Sequence, residues 1–279
     1  MTRTFAVAAD LLLEASKRKW FLALAAAITA VLVVLVASLQ LEVVDGALAA
    51  TRLFGKLWRG NGIQAADVAL RPVFEGASYG IFYGGIAFGI FACSDFAPSL
   101  LSPGRIEAML ALPVRRWELL AGTFLGVLVL ALMAALYGAA GLTLVLGVKT
   151  GVWTVRPLLA ALLAGLGFST LYAGMLVTAL FVRSAAMCAS VGAALFGAGI
   201  LASYRAQIIP LFEPGLGREV FKTASLFVPR IAALADVAAR LAGSSKVEPR
   251  AVASLLLGFG VFSLSTLAFG VWRFEQKDF

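Results

Sequence analysis

The chain contains no histidine and only two cysteines in 279 residues. Without imidazole there is no His-ligated metal site, no His proton relay, and no Ser-His or Cys-His catalytic pair. Cys93 and Cys188 sit in or beside apolar runs. They cannot build a disulfide framework or a zinc cluster, and they read as small apolar residues in helix packing. Charge is scarce too: 14% of residues are charged and 61% hydrophobic, with a mean hydropathy of +0.96. A soluble domain carries about 25% charged and 45–50% apolar residues. This chain has too little charge to clothe a water-facing surface, which excludes an ordinary soluble enzyme and a disordered chain alike. Lipid must be the solvent for most of its surface.

Energy-coupling machinery is also missing. No G-x-x-x-x-G-K-[ST] loop occurs; Gly147-Val148-Lys149-Thr150 lacks the Gly-Lys pair and sits at the end of an apolar run. The middles of the apolar runs read as empty of Asp, Glu, Lys and Arg, which argues against a coupled carrier with intramembrane relays or a channel with charged rings. Nor do the halves look like inverted repeats with broken helices. An intramembrane enzyme would need a nucleophile with its base, and none is visible. Thr29, Thr143, Ser169, Thr170, Thr178, Ser190, Ser263, Ser265 and Thr266 within the runs are expected to bond back to their own helices.

What is present is a series of apolar runs about 20 residues long, the length that crosses a bilayer. They fall at about 20–39, 76–93, 117–146, 157–182, 185–204 and 251–272. The expected fold is therefore all-α: a polytopic membrane protein with six transmembrane helices in one domain over 1–279. Lys17, Arg18 and Lys19 precede the first run, which is too long for a signal peptide and reads as an uncleaved span. Six spans place both termini on one side. Lys and Arg counted over the whole chain do not favour that side, but those directly flanking spans do (Lys17–Lys19, Arg115, Arg116, Arg183), so both termini are expected in the cytoplasm and the chain in the inner membrane. The net charge of +8 is then read as headgroup contact; no basic–aromatic interleaving suggests nucleic acid.

Residues 1–19 have amphipathic helical spacing, with Phe5, Ala8, Ala9, Leu12 and Leu13 near one face, and are expected to lie in the interface; a plain extension of the first span is the simpler alternative. Residues 41–75 read as a loop or short amphipathic helix on the far side. Gly76, Gly80 and Gly84 share one face of the second span and are expected to let another helix approach closely. Residues 205–250 hold four Pro and seven Lys/Arg; short helices there are expected to dip back into the membrane at 208–212 and 226–228.

Residues 95–116 break the apolar pattern. Ser102 is expected to cap a short helix with Pro103 at its first position. Ile106, Met109 and Leu110 share a face that can present an apolar knob to a partner's groove, and Arg105 and Glu107 are exposed. Pro113 ends the helix, and Arg115 and Arg116 meet the headgroups beside Trp117. The bland alternative is a solvated loop.

The stretch from Ser102 to Gly122 resembles the characteristic segment of ABC-2-type exporter permeases, roughly G-x-[IL]-E-x-L-L-[SA]-L-P-[VI]-x-R. Gly104, Ile106, Glu107, Leu110, Leu112, Pro113, Val114 and Arg116 stand in those places, and Met109 takes a Leu position. The N-terminal helix and the ending Phe274-Glu-Gln-Lys-Asp-Phe279 are similar to the family's as well. The likeness is nearest to its six-span members of about this length, including those of nitrous oxide reductase maturation loci. It implies a transmembrane subunit that is not itself an enzyme and pairs with a second copy or a close paralogue. ATP and Mg would be held by a separate cytoplasmic P-loop ATPase, with no cofactor or metal in this chain. The 95–116 segment would be the coupling segment, with Arg105, Ile106, Glu107, Met109, Leu110, Pro113, Arg115 and Arg116 at the ATPase contact. The 205–250 segment would be an extracellular gate, and there is room for an accessory extracytoplasmic protein. A different class shares the same coupling helix: an ATPase-driven membrane scaffold or assembly factor acting on an external partner without a transport path.

Overall fold

A computed structural model describes residues 2–276 apart from 45–46, 54–55, 60–63, 112–113 and 214. Six helical stretches among the described residues are long and apolar enough to cross a membrane: Lys19–Ala37, Leu70–Leu100, Arg116–Thr150, Arg156–Phe181, Ala185–Ser203 and Pro249–Glu275. This is a multi-pass α-helical membrane fold, as the run lengths predict.

In chain order, α1 is Thr2–Lys17 and α2 is Lys19–Ser38. Four short strands follow: β1 Leu39–Val44, β2 Ala47–Leu53, β3 Lys56–Arg59 and β4 Gln64–Ala65. β2 pairs antiparallel with all three others, Leu39 facing Leu53 and Thr51 facing Arg59. The loop or amphipathic helix expected over 41–75 is thus replaced by a small sheet up to Ala65 and a helix from Ala66. Leu-Gln-Leu-Glu-Val-Val alternates with the period of a strand, not of a helix.

The second span begins earlier than the expected 76. α3, Ala66–Tyr79, passes through a π-helical turn at Gly80–Gly84 into α4, Gly85–Cys93, and α5, Phe96–Leu100. It therefore brings Arg71 and Glu75 into the candidate span, so the bundle is not as empty of ionisable groups as the runs suggested. α6 is Arg105–Leu110, α7 Arg116–Thr150, α8 Arg156–Phe181 and α9 Ala185–Ser203. The 35 residues of α7 span about 52 Å, well beyond the hydrocarbon thickness of about 30 Å. It tilts or projects, and it is the strut on which α1, α2, α8 and α13 lean. α8 is the most enclosed span, with Phe168, Tyr172, Met175 and Leu176 in the core.

The 205–250 segment folds into α10 (Arg205–Ile208), a 3-10 turn (Ile209–Leu211), α11 (Leu216–Phe227) and α12 (Ile231–Ala242), before α13, Pro249–Glu275. At the stretches expected to dip back into the membrane, Leu211, Phe212, Leu226 and Phe227 are exposed on the protein surface. α12 is the part of the segment that packs into the bundle, with Ile231, Leu234, Ala235 and Ala238 fully buried against α8, α3 and α9. Small side chains decide this, because an Ala-rich face lets backbones approach where bulky residues cannot. At Gly199 of α9 a Cβ would come within 2.6 Å of Ile231 and 2.8 Å of the Pro229 carbonyl. Ser203 Oγ accepts the Ala232 and Ala233 N–H groups at 3.0 and 3.2 Å, satisfying two donors that a buried helix start would otherwise orphan. Tyr79 donates to Asp236 of α12 at 2.5 Å, and Ser245 donates to Glu75 at 2.9 Å.

Five of the span hydroxyls bond back to their own helices as expected. Thr29, Thr143, Thr170 and Thr178 each donate to the carbonyl four residues back, and Ser169 to the one three back. Ser263 departs from the expectation: from α13 it donates across to Thr170 at 2.9 Å.

Candidate functional site

The end of the bundle that carries both termini gathers the residues singled out between 95 and 118. α6 does not begin as its sequence suggests. Ser102 Oγ donates to the Ser99 carbonyl at 2.8 Å instead of capping. Gly104, at φ 81°, turns the chain into the helix at Arg105; that backbone region is cheap for glycine and costly for other residues.

α6 is anchored from inside. Ile106 is 2% exposed and belongs to the chain's own core, and Met109 packs partly buried against that core. The expectation that Ile106 serves as an outward knob is therefore corrected: its apolar face holds α6 to the bundle. The outward positions are Gly104, Glu107 and Ala111, followed by Arg115 and Trp117. Leu110 closes α6, and Pro113 lies outside the described residues.

Arg105 is not a free surface charge. Its guanidinium pairs with Glu14 of α1 at 2.5 Å. The other oxygen of Glu14 takes Arg18 at 2.6 Å, and Arg18 also pairs with Asp95 at 3.0 Å and lies over the Phe96 ring at 4.6 Å. One carboxylate thus ties α6 to α1, and one guanidinium ties α1 to the end of the second span. The Arg105 bond holds the Glu14 carboxyl below its ordinary range, against the opposing effect of burial. Burial works against the charge on Arg18, yet the bonds to Glu14 and Asp95 outweigh it and raise its pKa. These pairs are partly exposed, so each contributes about 1 kcal/mol or less. Their importance lies in what they connect.

α1 is in turn locked to α7. Thr4, Ala8, Leu11 and Ala15 are its buried line, spaced at the helical period. Gly122 and Gly126 of α7 receive it: a Cβ at Gly122 would lie 2.6 Å from Val7 Cβ and 2.8 Å from the Thr4 carbonyl, and one at Gly126 3.1 Å from the Ala8 carbonyl. Phe5 and Leu13, on the face assigned from sequence, are 64% and 63% exposed. α1 thus has two apolar sides, one against protein and one turned outward.

At the foot of α7, Glu118 is buried and accepts the Arg115 N–H at 2.8 Å. Arg116 donates to the carbonyls of Phe274 and Glu275 at 3.4 and 3.2 Å, which fastens the end of α13. Val114, Arg115, Arg116, Trp117 and Glu275 line an open hollow of about 680 Å³.

Sequence reasoning gave Arg18 only a span-flanking role and assigned none to Glu14, Asp95, Gly122 or Gly126. Two of these left a signal: Glu14 and Arg18 stand at i, i+4, and Gly122-x-x-x-Gly126 is a close-packing motif. At Gly76, Gly80 and Gly84 a Cβ meets nothing within 4 Å, so among the described residues no helix of this chain packs closely on that face. No group of three or more His, Cys, Asp or Glu able to hold a metal occurs among the described residues.

No protein-family model matches the chain, and no curated protein matches it.

Proposed function

We propose that the chain is the transmembrane subunit of an ATP-driven ABC-2-type exporter. It would couple ATP hydrolysis by a separate cytoplasmic P-loop ATPase to movement of a substrate across the inner membrane. In this reading both termini are cytoplasmic, two copies or a copy and a paralogue associate, and α12 with its neighbours forms the outer gate.

One observation carries the reading. The short helix between the second and third spans is anchored by Ile106, tethered by Arg105 to Glu14, and presents Glu107, Arg115 and Trp117 outward on the face that carries both termini. A helix held this firmly to α1, and through it to α7, transmits a push into the bundle; a solvated loop would absorb it. α1 would support the contact from its place between protein and lipid.

The test is purification of the tagged chain from its native membrane, scored for a co-purifying P-loop ATPase, followed by Glu107→Arg. We expect the wild-type pair to co-purify and hydrolyse ATP. Glu107→Arg should weaken the complex while leaving the folded membrane subunit intact. An active chain with no ATPase would sink the proposal. Water access to cysteines placed along the seam between two copies separates an exporter from an ATPase-driven scaffold.

A further inference from the structure

Between α2 and the second span lies an apolar crevice of about 540 Å³. Leu24, Ile28 and Leu35 of α2 form one wall, Gly80 and Gly84 the other, and Ala134 of α7 the back. α2 leans on α7, where Leu32 abuts Gly141 and Thr29 Oγ1 lies 2.8 Å from the Tyr137 hydroxyl. It stands off from the second span, and the glycines there face open space. Trp20 closes the crevice at the basic end of α2, next to Lys17, Arg18 and Lys19. Its indole N–H is buried and has no hydrogen-bond partner among the described residues.

We propose that this crevice holds one acyl chain of an anionic membrane phospholipid, with the headgroup beside Trp20, Lys17 and Lys19. Length, lining and charge point to the occupant. From Trp20 to Leu35 the crevice runs about 22 Å along α2, longer than the roughly 15 Å of one leaflet's hydrocarbon. Its lining is apolar side chains and glycine along that length, which suits a polymethylene chain with neighbours at about 4 Å. Charge agrees: Lys17 and Lys19 are exposed at the end where a Trp marks the headgroup boundary, and lysines there attract anionic lipid. The site does not depend on the ATPase reading.

The experiment uses the full chain with Trp20 as its only tryptophan, the other four changed to Phe, in phosphatidylcholine nanodiscs doped with phosphatidylglycerol brominated on its acyl chain. A matched chain keeping only Trp272, which is exposed, reports bulk lipid. We expect Trp20 quenching to saturate at a low brominated fraction while Trp272 quenching rises in proportion. Gly84→Leu fills the crevice and should abolish the saturable component; Gly258→Leu, equally uncrowded but on α13, should leave it. Lys17→Gln with Lys19→Gln should raise the half-saturating fraction at least about fivefold. Proportional quenching of Trp20, unaffected by Gly84→Leu, overturns the proposal. So does absence of quenching at every fraction, which would give the crevice to a second protein chain. An unchanged half-saturation in the lysine variant overturns the headgroup assignment.

Discussion

Replacing Gly122 with alanine probes the joint between α1 and α7. The new Cβ would sit 2.6 Å from Val7 Cβ and 2.8 Å from the Thr4 carbonyl oxygen. Non-bonded carbons prefer about 3.5–4.0 Å, so α1 must retreat by about 1 Å. The obstruction includes backbone, so no side-chain rotation relieves it. Overpacking of this kind costs about 1–3 kcal/mol. At Gly126 the nearest atoms are 3.1–3.3 Å away, and alanine there requires only a few tenths of an ångström. Because α1 ends one side of the bundle, the strain should appear as local opening of α1, not global unfolding. Hydrogen exchange measured by mass spectrometry in nanodiscs reads this directly. Gly122→Ala should speed exchange in α1 roughly five- to hundredfold, Gly126→Ala much less, and α8 should be unaffected in both. Unchanged α1 exchange in Gly122→Ala, or equal effects at the two glycines, would refute the close approach. A uniform rise across α8 would show that α1 is not a separate unit.

The Glu14 linkage carries a pH signature. Its carboxyl is held below the ordinary range in the folded chain, so its contribution is present above the unfolded carboxylate value of about 4.3 and lost as pH falls through the folded value. Exchange in α1 should therefore rise on acidification below about pH 4, and Glu14→Gln should show the faster exchange already at neutral pH. Ser203→Ala leaves the N–H groups of Ala232 and Ala233 without their acceptor. It should cost about 0.5–2 kcal/mol and raise exchange at the start of α12 while sparing α1. Asp236→Ala strands the Tyr79 hydroxyl. It should loosen α12 by about 1–3 kcal/mol, whereas Asp236→Asn, which keeps an acceptor, should be milder.

The spans were legible because length and apolarity alone decide them: nothing but a helix satisfies the backbone of Trp20–Val36 or Leu158–Phe181 in lipid. The parts between spans were harder, for physical reasons that differ. Leu39–Val44 alternates as a strand does, but the alternation lasts only six residues and follows directly on an apolar span, so by itself it carries little weight. α12 was hidden by its alanines. The bulky apolar residues at 211–212 and 226–227 lie on the protein surface, whereas the segment that fits among α3, α8 and α9 is the one with little side-chain volume. Short-range spacing identified α6 but not its orientation. Ile106 is equally apolar whether it turns inward or outward, and only the tertiary contacts with the core choose. The partnership of Glu14 with Arg105 joins residues 91 positions apart, which no local pattern encodes.

Arg116 and Glu107 belong to one sequence motif, yet the structure assigns them different burdens, and their variants should separate accordingly. Arg116 donates to the last carbonyls of α13, at Phe274 and Glu275. A cation at a helix C-terminus is stabilising by about 0.3–1 kcal/mol when exposed and more when partly buried. Arg116→Ala should thus increase exchange in the final turn of α13 even in the isolated chain, and Arg116→Lys should restore part of it by replacing the charge without the planar fork. Glu107 is exposed on α6, and Glu107→Arg should leave exchange throughout the isolated chain unchanged. Any loss of function it causes must then arise at a partner. If Glu107→Arg destabilises the isolated chain as much as Arg116→Ala does, Glu107 is part of the internal framework, and the outward surface of α6 no longer supports a docking role.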